Sequence, residues 1–265
     1  MKGFSLNQAT TKRWPLDALV DGCVKAGVPA VGLWREEVAE YGLERAAALV
    51  RENGLTVSSL CRGGFFQQAD WLAENRRAIE EAAALGTDTL VLVSGGLGDR
   101  DLDAARGHIG ESIGALVPDA LAAGVRLAIE PLHPMFCSDR CVVATLGQAL
   151  QIAALYPPHV VGVVIDTYHL WWDDQVWQLI DVAGQQGRIA SFQLADWITP
   201  LPEGVLLGRG LPGTGCIDLR RFATEVRAAG YQGWTEVEVF HADVWARPGA
   251  EVLDEAYAGY RAAVS

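Results

Sequence analysis

Four apolar runs in the second half of the chain each end on an oxygen-bearing side chain that a metal ion could use. They read Leu-Ala-Ile-Glu130, Val-Val-Ile-Asp166, Ala-Ser-Phe-Gln193 and Glu-Val-Glu238. Three positions beyond each stands a further polar group: His133, His169, Asp196 and His241. An unpaired buried carboxylate is costly, so apolar runs that finish on carboxylates call for a shared partner. One divalent cation held by Glu130, Asp166, Gln193 and Glu238 would satisfy all four. Such oxygen donors suit Mn²⁺ best, with Mg²⁺ and Co²⁺ alternatives and Zn²⁺ if a histidine joins. Alternation along a strand turns Glu236 the same way as Glu238, one layer deeper. Either could be the ligand; Glu238, nearer the strand end, is preferred.

These groups meet only if the strands that carry them converge. Eight strand-like segments are expected at 3–8, 30–35, 56–61, 89–94, 126–130, 160–166, 189–194 and 234–239. Most are continuous apolar runs, as parallel strands covered on both faces should be. Amphipathic segments at 16–26, 43–51, 70–85, 102–123, 146–155, 176–186 and 219–229 alternate with them. The first would bury Leu16, Leu19, Val20, Cys23 and Val24. Glycines such as Gly27 and Gly124 close these helices, and Thr145 and Asp218 open two of them. Eight such units predict an α/β fold, a single (β/α)8 TIM barrel over residues 1–265, with active-site residues at the C-terminal strand ends. An open doubly wound sheet would show a glycine-rich turn after the first strand; this chain has Asn7-Gln8-Ala9-Thr10-Thr11.

Composition narrows the function. Half of the residues are hydrophobic, enough for a large core, and the formal charge of −12 argues against gripping nucleic acid. No apolar stretch would span a bilayer and the N-terminus does not read as a signal peptide. Five cysteines without framework spacing fit a reducing cytoplasm and structural thiols. No basic run marks a phosphate site, so an unphosphorylated substrate is expected.

The loops add candidate contacts. His133 and His169 could bind substrate hydroxyls, carry protons or orient a carboxylate. Trp172 and Trp197, with Trp34, Trp171 and Trp245, could stack on sugar faces or simply pack. The run Gly208-Arg209-Gly210-Leu-Pro-Gly213-Thr-Gly215 is neither a Walker loop nor a dinucleotide fingerprint. It reads as a mobile lid bringing Arg209 to the substrate, or as a turn before the helix capped by Asp218.

Ile129-Glu130-Pro131, Ile165-Asp166-Thr167-Tyr168-His169, the 208–215 loop and Val237-Glu238-Val239-Phe240 resemble the xylose-isomerase-like TIM-barrel superfamily. The resemblance is to the sugar phosphate isomerase/epimerase group, with its ketose 3-epimerases, hydroxypyruvate isomerase and inosose dehydratase, and covers nearly the whole chain. It implies that Glu130, Asp166 and Glu238 bind metal, that His169 touches substrate, and that Arg209 is a substrate-binding basic residue. The third metal position, often His in that group, is Gln193 here.

The residues imply a metal-dependent isomerase or epimerase of a sugar or polyhydroxy carbonyl compound. A cation would polarise the carbonyl and stabilise an enediolate, with Glu130 and Glu238 as catalytic acid and base. Elimination from a keto-sugar glycoside or inosose by a lyase is the alternative. The expected partner is a small carbohydrate, not nucleic acid or membrane, with a homo-oligomer or partner subunit as a further expectation.

Overall fold

In the computed structural model, which describes residues 1–98, 101–202 and 205–265, eight parallel strands close on themselves. They are β1 (Gly3–Asn7), β2 (Ala30–Trp34), β3 (Thr56–Gly64), β4 (Thr89–Val93), β5 (Arg126–Ile129), β6 (Val161–Asp166), β7 (Ile189–Leu194) and β8 (Trp234–Val237). Each pairs with its sequence neighbours, and β8 pairs with β1. This is a (β/α)8 TIM barrel.

The seven expected helices are present within one or two residues, Leu16–Ala26 and Leu102–Ala123 at the expected bounds. Val24 is a correction: it is 46% exposed, while Leu16, Leu19, Val20 and Cys23 are buried. Two further helices, Arg35–Tyr41 and Gly249–Val264, complete the outer ring. The first buries only Val38, so it carries no apolar stripe to read. The second packs Tyr257 and Tyr260 on Phe4 of β1, ring centroids 5.0 and 5.2 Å away. Among the described residues no helix is long and apolar enough to cross a membrane.

Strand ends position the site. Asp166 and Gln193 are level across β6 and β7, and Gln193 is level with Glu236 across β8. Glu130 and Glu238 lie one position past their strands, yet both are pinned by the backbone. Glu130 N donates to Leu92 O (3.0 Å) and Glu238 N to Leu194 O (3.2 Å).

The barrel interior is mixed. Cys61, Val91, Ala128 and Val164 form an apolar cluster. Next to its Cys61, the Glu236 carboxyl group accepts from Asn7 Nδ2 (2.7 Å), Gln193 Nε2 (3.1 Å), Ser58 and Ser59. Four neutral donors meet the demand that a buried acceptor be satisfied. Gly32 makes room for this group, since a Cβ there would lie 2.6 Å from the Glu236 carboxyl carbon. Gly32→Ala is therefore expected to destabilise the protein by about 1–3 kcal/mol, measured as a lower chemical-denaturation midpoint at unchanged slope.

Candidate active site

A cavity of about 270 Å³ opens at the C-terminal ends of the strands. Of the residues expected at the site, Glu130, His169, Arg209 and Glu238 line it. Asp166 and Gln193 lie behind them, 1% and 0% exposed. Trp34, Phe240, Val91, Val93, Leu132 and Phe136 supply aromatic and aliphatic walls. Cys61 also lines the cavity, its Sγ 3.8 Å from Glu238 Oε1. Burial, and after it Glu238, Glu236 and Glu130, drive this thiol well above its ordinary pKa, so it stays protonated.

Arg209 organises the floor. Its Nη1 donates to Glu238 Oε2 (2.6 Å) and Asp166 Oδ2 (3.2 Å), and Nη2 lies 2.9 Å from His169 Nε2. The rings of Phe240 and Tyr168 lie 5.0 and 5.3 Å from its guanidinium carbon. Burial opposes the charge on Arg209, but Asp166 and Glu238 more than offset it, and the pKa moves up.

Among the described residues of the site, two acceptor oxygens are buried without a hydrogen-bond partner, Glu130 Oε1 and Gln193 Oε1, as is one donor, Arg209 Nε. Burial, then Glu238 and Asp166, raises Glu130 well above the usual carboxylate range. Burial likewise pushes Glu238 up to about 7, against the pull of Arg209. Asp166 is raised too, by burial, with Arg209 opposing.

These facts bear on whether a metal fits. Glu130, Asp166 and His169 place ligand atoms within 4.8 Å of one another, and Cys61, Glu236 and Glu238 form a second such group. Glu130, Asp166 and Glu238, if all ionised, outnumber the one guanidinium by two negative charges, with Glu236 close by as a fourth buried carboxyl group, and a divalent cation offsets that excess. The two orphaned oxygens belong to residues expected as ligands. Gln193 Nε2 is committed to Glu236, which leaves its carbonyl oxygen as the free end. The donor set fits a divalent cation.

Other expectations need correction. His133, Trp172 and Trp197, expected to touch substrate, do not line the cavity. They pack on one another: the His133 ring lies 5.1 Å from Trp197 and 5.5 Å from Trp172. Trp197 also stacks on Tyr168 at 5.0 Å, and Trp172 Nε1 donates to the His169 carbonyl at 2.8 Å. The one-turn helix Thr167–Leu170 brings His169 to the cavity, while its Tyr168 joins the aromatic block by stacking on Trp197. His133 acts through its backbone instead, its N–H donating to His169 Nδ1 (3.2 Å).

Asp196 and the 208–215 loop form a unit. The Asp196 carboxyl oxygens accept from the backbone N–H groups of Trp197, Gly213, Gly215 and Ile217 at 2.9–3.0 Å. The loop is thus tied to Asp196 and Arg209 is 5% exposed; of the two readings, lid or turn, this geometry matches the turn. His241, the last of the four offset groups, caps the short helix Ala242–Trp245.

Comparisons with known proteins agree with this architecture. A family model described as xylose isomerase-like TIM barrel matches residues 20–257. Curated proteins gave no match. Among solved structures, protein SMc04130 from Sinorhizobium meliloti 1021 is 45% identical, covering 99% of this chain and 98% of that one at a TM-score of 0.95. The IolI protein, solved with a binding zinc atom, is 22% identical over 100% and 98% of the two chains, TM-score 0.87. The E. coli 3-keto-D-glucoside 4-epimerase YcjR is 19% identical over 97% and 99%, TM-score 0.75. The last two likenesses are of fold. From the match over residues 20–257, the chain belongs to the xylose isomerase-like TIM barrel family.

Proposed function

We propose that the protein is a divalent-metal-dependent isomerase or epimerase that moves a proton at carbon beside the carbonyl of a sugar or related polyhydroxy compound. The observation that carries this reading is the pair of unpartnered buried oxygens, Glu130 Oε1 and Gln193 Oε1, beside three carboxyl groups and one guanidinium. The fold is shared with an enzyme solved as a 3-keto-D-glucoside epimerase and with a zinc-binding protein.

Glu130, Asp166, Gln193 and Glu238 would hold the ion. When bound, a cation such as Mn²⁺ supplies Lewis acidity that polarises a carbonyl and favours loss of the neighbouring proton. Glu130 and Glu238, both shifted upward and both facing the cavity, take and return that proton. Return to the opposite face of the same carbon is epimerisation; return to the neighbouring carbon is isomerisation.

His169 contributes a fixed tautomer. Burial, then Arg209 and His133, holds its pKa well below the ordinary value, so the ring is neutral. Both ring nitrogens face N–H donors, and a neutral imidazole can accept at only one. The contact from the charged guanidinium is the shorter, so Nε2 accepts from Arg209 Nη2 (2.9 Å) and His169 braces the group that holds Asp166 and Glu238.

Elemental analysis of the purified protein, followed by solvent-deuterium incorporation into a panel of sugars and keto-sugars, tests the reading. The expected result is about one bound divalent cation, exchange at one carbon, and loss of exchange on chelation that Mn²⁺ reverses. Release of water or an aglycone without exchange would favour elimination. Full activity in metal-stripped protein would sink the proposal.

A further inference from the structure

Three cations that the chain scatters meet at the cavity mouth. Lys12 follows β1, Arg62 lies within β3 and Arg140 in the loop after β5, and all three line the cavity. The chain as a whole is acidic, with 33 carboxylate side chains against 21 lysines and arginines, so a cationic rim departs from its average. Glu36 and Glu37 line the same rim and offset it only in part. Lys12 is 3.6 Å from Glu37, and Arg62 is 3.9 Å from Glu36, whose side chain is 64% exposed. Arg140 has no ion-pair or side-chain hydrogen-bond partner among the described residues.

The Arg62 head is held in place. Its guanidinium carbon lies 4.2 Å from the Phe65 ring centre and 5.9 Å from that of Trp34. Burial disfavours its charge; Glu36 relieves this and Arg140 adds to it. Two neighbouring guanidinium groups with no carboxylate joining them are mutually repulsive alone and complementary to an anion. Glu130 is among the charges acting on Arg62, so this seat adjoins the floor of the site.

We propose that Arg62 and Arg140, with Lys12 at the outer edge, hold an anionic substituent of the substrate, a carboxylate or a phosphate ester. The identity of the reacting end rests on the isomerase reading above; the anion seat is a separate binding claim. A cavity of about 270 Å³ is just under the ~300–1,000 Å³ typical of ligand pockets, so the seat and the reacting carbon belong to one small molecule. In sequence the three cations are isolated, which is why the chain reads as having no phosphate site.

Calorimetric titration of Mn²⁺-loaded protein with D-glucuronate, D-fructose 6-phosphate, inorganic phosphate and neutral D-fructose tests the seat, at low and high salt. At least one anion is expected to bind about 10- to 100-fold more tightly than D-fructose, the scale of a charge-assisted contact, and to weaken with salt. The carboxylate and phosphate probes separate the two anion sources. The Arg62→Gln/Arg140→Gln variant should lose the preference while keeping its circular dichroism and metal content. If that variant does not fold, Arg140→Gln alone is used, because Arg140 makes no side-chain pair to lose.

Equal binding of D-fructose, a preference surviving in the variants, or no binding by any anion overturns the seat. Deuterium exchange read in parallel keeps the two claims apart. Arginine-dependent anion binding with no exchange in any probe upholds the seat and removes the isomerase reading. Exchange that is indifferent to substrate charge does the reverse.

Discussion

Glu130→Gln and Glu238→Gln are each expected to lower the proposed solvent-deuterium exchange by about 10²–10⁴-fold, the usual worth of a positioned acid or base, while the barrel stays folded. Glutamine keeps the shape and an oxygen but cannot take a proton. The two variants should differ in their other properties. Glu238 carries the 2.6 Å bond to Arg209, so Gln there weakens an ion pair to a neutral contact while Arg209 keeps Asp166. Glu130 Oε1 has no hydrogen-bond partner, so its loss breaks no bond at that atom. Glu130→Gln should therefore retain a native melting temperature in metal-free protein, with the deficit confined to turnover and metal affinity. Wild-type exchange in both variants would remove these carboxylates from the chemistry.

Arg209→Gln destabilises the metal-free protein by about 3–5 kcal/mol, the cost of breaking a buried ion pair from one side. On the ~2–4 °C per kcal/mol expected for chains near this size, the melting temperature falls by roughly 6–20 °C. The reason is that Asp166 and Glu238 share one Nη1 and are 1% and 3% exposed. Adding Mn²⁺ should recover part of the loss, because the cation answers the same carboxylates. Asp166→Asn should lose less, since Arg209 keeps Glu238. A variant as stable as the parent without metal would show that the guanidinium is not the counter-ion of the site.

The barrel was readable because parallel strands covered on both faces are long apolar runs, and polar residues that end them stand out. Glu130, Asp166, Gln193 and Glu238 were legible for that reason. The offset groups were not. Whether a residue three positions past a strand faces the cavity depends on how the next turn winds. His169 turns in, His133 turns its ring into a tryptophan stack, and His241 caps a helix. Asp196 has the residue type of a catalytic group, yet its partners are backbone amides on a loop that only the fold brings back. Lys12, Arg62 and Arg140 come from three separate units, so no local pattern could join them.

The polar and apolar parts of the barrel lining differ in what a substitution there disturbs. Asn7, Ser58, Ser59 and Gln193 are tied to Glu236, and a change at any of them disturbs the carboxyl group they serve. Val91, Val93, Leu132 and Phe136 form an aliphatic and aromatic arc on the cavity wall. Phe136 also lies 5.8 Å from the His169 ring, so only Val91, Val93 and Leu132 are free of that contact. A library confined to those three positions is expected to change which molecules enter the cavity.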